Sequence, residues 1–251
     1  MADSLYIAKN IKEAVSYIKK GSTILAGGTQ INRLDSPVKA KSLVSIGRIE
    51  GLDKIEKTAF EGVKYIKIGS MCTFQEAVES TVLPQYFKDA CLNMSSRTKR
   101  NMATIGGNIA SLRDDSYILA MLLCCKAKLE VINKSSKTSV IELCTYVSET
   151  DKYKDFLITG VFIPASKQNI AQKRYANTAS SHGYITMAMN KNKKEYTVGL
   201  CVKNSGIYTF GKLGETDKVT LKDDMFGSKE YKKYLLKITE EDLVKVLGGA
   251  K

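Results

Sequence analysis

Two pairs of adjacent glycines are the residues in this 251-residue chain whose type and spacing point most directly to ligand chemistry. The first lies in Ile24-Leu25-Ala26-Gly27-Gly28-Thr29-Gln30-Ile31, the second in Thr104-Ile105-Gly106-Gly107-Asn108. In each, an apolar run leads into the glycines and a hydrogen-bonding side chain follows. Glycine has no Cβ, so the backbone there can take positive φ and come close to a ligand. Successive exposed N–H groups in such a turn form a concavity for an anion, typically a phosphate. Either pair alone is weak evidence and reads better as a tight turn between strands. Two of them, widely separated in one small basic chain, could supply a diphosphate with donors from two sides. On that reading a Cβ at Gly27 or Gly107 would intrude on the phosphate path.

Other chemistry-bearing residues offer less. Gly206 to Lys212 opens like a phosphate-binding G-x-x-x-x-G-K, but Leu213 stands where Ser or Thr would hold magnesium, and the segment reads as a strand. No G-x-G-x-x-G follows a strand. His182 is the sole histidine, so any Ser–His–Asp or Cys–His mechanism would depend on it, and no nucleophile elbow accompanies it. It reads as a surface or satisfied core histidine. The cysteines (Cys72, Cys91, Cys124, Cys125, Cys144 and Cys201) include no C-x-x-C pair, which speaks against an iron–sulfur cluster or zinc site in this chain. Most sit in apolar runs and read as buried free thiols of a reducing compartment.

The net charge of +13 would suit nucleic acid, but the lysines are spread along the chain without a helix-turn-helix, zinc-finger or RNA-binding signature. A solvated lysine-rich surface explains them, with a lesser part in steering acidic partners or a phosphorylated dinucleotide. No apolar run reaches the roughly 18 residues of a membrane span. The N-terminus lacks a basic start followed by an apolar core. The expected location is cytoplasmic.

The elements that must carry the glycines follow from periodicity. Asn10 caps a helix with Ile11, Ala14, Val15 and Ile18 on one face, ended by Gly21. Ser22 to Ala26 is a strand delivering the first glycine pair, and the turn Gln30 to Leu34 would present its amides to a phosphate. Leu43 to Ile46 is another strand. Ile66 and Ile68 lie in a strand ending at Gly69. Thr73 and Glu76 form a capping box, and Pro84 opens a helix reaching about Met94. After the second glycine pair, expected as a loop, Asp114 and Asp115 would cap a helix containing Leu119, Met121, Leu122 and Leu123. That helix is apolar nearly all round and therefore buried. Leu129 to Ile132 and Phe156 to Ile163 read as strands. The last unit is expected to hold a three-stranded antiparallel meander (184–189, 196–202, 207–212) and two helices (228–237 and 240–247), the second starting from Thr239.

Taken in order, these pieces resemble the FAD-binding (medium) subunit of the xanthine dehydrogenase and carbon monoxide dehydrogenase family of molybdenum hydroxylases. Beside the two glycine loops, the resemblance rests on L-V-S-I-G-R-I-E-G-L (43–52), I-G-S-M-C-T (68–73), R-N-M-A-T-I-G-G-N-I-A (100–110), L-I-T-G-V-F-I-P (157–164) and G-S-K-E-Y-K-K-Y-L (227–235). It implies an α+β chain: a two-subdomain FAD-binding fold of the vanillyl-alcohol-oxidase/PCMH type (1–56 and 57–165) and a small C-terminal domain (166–251). The C-terminal domain is shorter than the family's, because 214–223 bridges a gap that usually holds more chain.

The same resemblance implies how FAD would be held. Ile24 to Ile31 would form the first loop, with the amides of Gly27, Gly28 and Thr29 facing the pyrophosphate. Thr104, Ile105, Gly106, Gly107 and Asn108 would complete the cradle. Asp115, with Asp114 as a rival, would contact the ribityl or adenosine part. Met94 would cover the cofactor, Ile158 would offer a backbone contact, and Arg174 or Tyr175 would lie where a family lysine reaches the flavin. Gln30 stands where Asp or Glu is common. No catalytic side chain and no metal ligand is assigned, since a flavin carries its own electron chemistry.

The implied activity is electron transfer. Electrons would pass from [2Fe–2S] clusters on a small subunit, fed by molybdopterin on a large subunit, through FAD to NAD⁺ or another acceptor. The substrate of such a complex is open among purines, nicotinate and other heterocycles. A non-catalytic assembly subunit that keeps the fold without FAD, and a basic RNA-associated domain, are the competing readings.

Overall fold

A computed structural model describes residues 2–33 and 40–248. Leu34, the end of the expected turn after the first glycine pair, lies outside the described residues. The chain opens with β1 (Ser4–Ile7), α1 (Ile11–Lys19), β2 (Thr23–Leu25) and β3 (Ser42–Ser45). Asn10 caps α1 as its side chain accepts from the Glu13 amide, and Ala14, Val15 and Ile18 are the buried face that the spacing predicts. The strands pair in parallel in the order β1-β3-β2. β1, which the sequence reading omitted, is an edge strand. β2 ends immediately before Ala26, so the first glycine pair hangs off the carboxyl end of a parallel strand, where open α/β sheets place their ligands.

The middle of the chain runs β4 (Ile55–Phe60), β5 (Val63–Gly69), α2 (Phe74–Glu79), α3 (Gln85–Leu92), α4 (Arg97–Met102), α5 (Ile105–Ala110), α6 (Leu119–Cys124), β6 (Lys128–Ile132), β7 (Thr138–Glu142), α7 (Leu143–Ser148), α8 (Thr150–Tyr153) and β8 (Leu157–Pro164). Its five strands pair antiparallel in the order β4-β5-β8-β6-β7. β8 is the central strand, buried along all but its last residue, which explains its uninterrupted apolar run. The Thr73–Glu76 capping box is present in both directions. α3 stops at Leu92, short of Met94.

Two local expectations need correction here. The stretch 104–108 is not a loop. Thr104 caps α5 by accepting from the Gly107 amide, and Gly106 and Gly107 lie in that helix's first turn. Nor do Asp114 and Asp115 cap α6. The Ser116 hydroxyl accepts from the Ile118 and Leu119 amides instead, and both carboxylates have other partners. Every residue of α6 is buried, as its composition predicts. The helix packs on the neighbouring sheet through the strands Ile185–Asn192 and Glu195–Val202.

The last part comprises β9 (Ile170–Tyr175), β10 (Ile185–Asn192), β11 (Glu195–Val202), β12 (Gly206–Phe210), a 3₁₀ turn at Glu215–Lys218 and α9 (Lys229–Gly248). The sheet has four strands in the order β12-β11-β10-β9, not three. The extra strand, β9, reads I-A-Q-K-R-Y. All six residues are half-buried, so no in–out alternation marks it. The two expected C-terminal helices are one. Thr239 does not start a helix; its hydroxyl donates to the Leu235 carbonyl one turn back. Leu235, Leu236, Leu243 and Leu247 form a single buried face.

The N-terminal sheet, the central sheet and the last sheet each face a hydrophobic cluster of their own. Ile132 and Leu157 from the central sheet complete the first of these, against Ala14, Val15 and Val44. Of the cysteines, all but Cys144 are buried free thiols. No helix among the described residues is long and apolar enough to cross a membrane.

Candidate cofactor-binding cleft

The two glycine pairs meet. α5 is stitched to the chain after β5 by backbone bonds. Gly106 N–H donates to the Ser70 carbonyl at 2.9 Å, Ile105 N–H to Cys72 at 2.8 Å, and Phe74 N–H to Ala103 at 3.0 Å. These hold the second pair against the first. A Cβ built on Gly107 would lie 3.8 Å from the Ala26 Cβ, and one built on Gly27 would lie 1.7 Å from the Met102 carbonyl oxygen. Close approach therefore demands glycine at 27. The steric reason is the opposing chain rather than the phosphate path expected from the sequence. At Gly106 and Gly107 the obstacles are likewise internal: the Ser70 Cβ at 2.5 Å and Thr104 Oγ1 at 2.7 Å. Of the four glycines only Gly28 uses positive φ, at 71°.

The paired loops line one cleft of about 920 Å³, at the upper end of the roughly 300–1,000 Å³ typical of ligand sites. Every residue expected to hold cofactor lines it except Leu25, Ile105, Arg174 and the two rivals Asp114 and Tyr175. Ile105 is wholly buried in the central core. Leu25 lies under the loop, where its Cδ1 would be 3.5 Å from a Cβ on Gly28. Arg174 sits on β9 beside a smaller, separate cavity. Its guanidinium donates to the Ser181 and Ala179 carbonyls, and so fixes the loop carrying His182. Asn108 spends its side-chain oxygen on the Ser116 hydroxyl at 2.6 Å.

The charged centre of the cleft is Asp115, only 1% exposed. Arg113 grips it at both ends, Nε to Oδ1 and Nη2 to Oδ2, each at 2.6 Å. Lys203 Nζ lies 2.6 Å from Oδ2. Burial alone would push this carboxyl up. The hydrogen bonds from Arg113 and Lys203 outweigh it and bring the pKa down to about 2, with His182 adding to the pull. Both oxygens expected to reach the cofactor are thus engaged within the protein. Arg113 carries the network onward, its Nη1 donating to the Gln30 side chain of the first loop at 3.3 Å. Asp114 does not line the cleft. It accepts from the Asn204 amide and ties down the β11–β12 turn.

Several lining residues escaped the sequence reading. Arg113 could have been noticed as the first cation after the second glycine pair. Lys99 and Lys154 add positive charge to the walls, while Lys134 is paired with Asp155 at 2.7 Å. His182 is neither a surface nor a satisfied core histidine. It is half-buried in the cleft wall, its ring centroid 5.0 Å from that of Tyr117, and its buried Nδ1 has no hydrogen-bond partner. Burial lowers its pKa below the usual 6.5. Asp115, 3.8 Å from Nδ1, opposes that shift, and Arg113 and Lys203 reinforce it. The imidazole is therefore neutral at pH 7.

An elongated dinucleotide with a central diphosphate fits this arrangement. The first loop supplies backbone amides, and its glycine at 27 lets the chain before α5 pack close against it. The walls carry cations, and two polar atoms, Ser70 Oγ and His182 Nδ1, are buried without partners. A family model described as the FAD binding domain in molybdopterin dehydrogenase matches residues 1–166. The chain belongs to that family. The uncharacterised protein YgfM of Escherichia coli K12 is 23% identical over 234 residues, spanning 87% of this chain and 85% of YgfM. A chain of quinoline 2-oxidoreductase from Pseudomonas putida 86 superposes with a TM-score of 0.84 at 17% identity, covering 100% of this chain and 98% of that one. Carbon monoxide dehydrogenase from Hydrogenophaga pseudoflava gives 0.83 at 15%, covering 98% and 97%. At such identities these structures share the fold alone, over nearly the whole of this chain.

Proposed function

We propose that this chain is the FAD-binding electron-transfer subunit of a molybdenum-dependent hydroxylase or dehydrogenase. The observation that carries the reading is the convergence of two distant glycine pairs on one cleft. Bound FAD would supply the electron chemistry, which leaves the chain itself to bind, orient and shield. The amides of Gly27, Gly28 and Thr29 would hold the diphosphate, and α5, whose own first-turn amides are bonded within the protein, would close the other side. Arg113, locked by Asp115, would set the charge at the first loop. Met94 and Tyr117 would keep water from the buried part of the cofactor.

On this reading the units are 1–56, 57–165 and 166–251, and the chain works in a cytoplasmic hetero-oligomer. A molybdopterin subunit and a [2Fe–2S] subunit would feed it, and NAD⁺ or another acceptor would drain it, as in xanthine dehydrogenase-like complexes. Among the described residues no group of three or more His, Cys, Asp or Glu side chains is placed to hold a metal ion. The metals would then sit on the partner chains. The chain isolated under mild conditions from its own cells should bring two further chains, bound flavin, and both molybdenum and iron by elemental analysis. A chain that arrives alone, colourless and metal-free would count against the assignment.

A further inference from the structure

Ser70, inside the I-G-S-M-C-T stretch (68–73), follows directly on β5 and lines the cleft. Its backbone is pinned on both sides. Its N–H donates to the Thr159 carbonyl at 3.1 Å, and its carbonyl accepts from Gly106 at 2.9 Å. The residue is 2% exposed, and its Oγ is buried with no hydrogen-bond partner. A buried hydroxyl left unpaired costs stability, so native proteins rarely keep one without a use. The neighbourhood is tight as well, for a Cβ on Gly106 would lie 2.5 Å from the Ser70 Cβ. The hydroxyl is thus held beside the glycine cradle with a proton to donate.

We infer that Ser70 is a side-chain ligand of the cofactor's diphosphate, donating its hydroxyl to a phosphate oxygen from the floor of the cradle. The inference rests on the flavin reading above and adds a residue to it. A phosphate suits this donor because its oxygens only accept, and a bond to a charged acceptor is about twice as strong as one to a neutral acceptor. The backbone bond from Gly106 fixes Ser70 beside the second glycine pair, in the lining of the cleft.

The test uses the full chain freed of flavin, the Ser70→Ala variant, and three probes: FAD, adenosine diphosphate and riboflavin. Alanine keeps the packing and deletes the unpaired hydroxyl, so the ligand-free variant should melt at the parent's temperature or slightly above it. Its Kd for FAD and for adenosine diphosphate should rise about tenfold, and its FAD-induced rise in Tm should shrink accordingly. Riboflavin, which has no phosphate, should bind both proteins alike. Parental affinity of the variant for FAD and adenosine diphosphate would overturn the assignment, as would an equal loss for riboflavin or a lower melting temperature without ligand. A parent chain that binds neither FAD nor adenosine diphosphate would strike the flavin reading itself, and this assignment with it.

Discussion

Gly27→Ala is expected to lower FAD affinity about a hundredfold and to destabilise the folded chain by about 2–3 kcal/mol. The added Cβ would lie 1.7 Å from the Met102 carbonyl oxygen and 2.8 Å from its carbon. These are backbone atoms, so no rotamer change relieves the clash. The two loops must move apart, and the first loop's amides then lose their place against α5 and their aim at the ligand. Each hydrogen bond to a charged group is worth about 1.5–3 kcal/mol, so misplacing one or two of them accounts for the expected loss. Gly211→Ala is the control. No heavy atom lies within 4 Å of its added Cβ and its φ is ordinary, so it should stay within about 0.5 kcal/mol of the parent. Urea unfolding and FAD titration of the two variants check both numbers. Parental affinity in Gly27→Ala would show that loop contact is irrelevant to the ligand.

Asp115→Ala should cost about 2–3 kcal/mol of folding stability, because it strands Arg113 and Lys203 around a missing anion. The figure is set below the usual value for a fully buried pair, since both cations keep some exposure to water. The pH dependence follows from the sign of the shift. Asp115 is depressed from 3.8 to about 2 in the folded chain, by hydrogen bonds that overcome its burial. Its contribution is therefore complete above the unfolded value and is lost as pH falls through about 2. The gap between parent and variant in denaturant midpoint should narrow below about pH 4. A variant as stable as the parent at pH 7 would mean that the network contributes nothing.

Where residues act through local rules, the fold was legible in the sequence. Asn10 caps α1, Thr73 and Glu76 form their box, and the all-apolar stretch at α6 is buried between layers. The glycine pairs identified the cleft because both their spacing and their flanking apolar runs carry information. What stayed hidden depends on tertiary contacts. α5 contains two glycines, each about 1 kcal/mol worse than alanine in a helix, and forms because the chain after β5 stitches it down. β9 pairs through its backbone while Gln172, Lys173 and Arg174 give it no strand pattern. The Thr-Glu-Glu-Asp run at 239–242 looks like a helix start, but the buried leucines on either side hold one helix through it. Ser70 and His182 matter only for what surrounds them, and single residues in a sequence do not reveal their surroundings.

Titration of the flavin-free chain with FAD tests the central claim most directly. The account predicts uptake of one FAD per chain, a perturbed flavin spectrum, and competitive displacement by adenosine diphosphate. A chain that unfolds cooperatively, and so is folded, yet takes up no FAD at any concentration would contradict it.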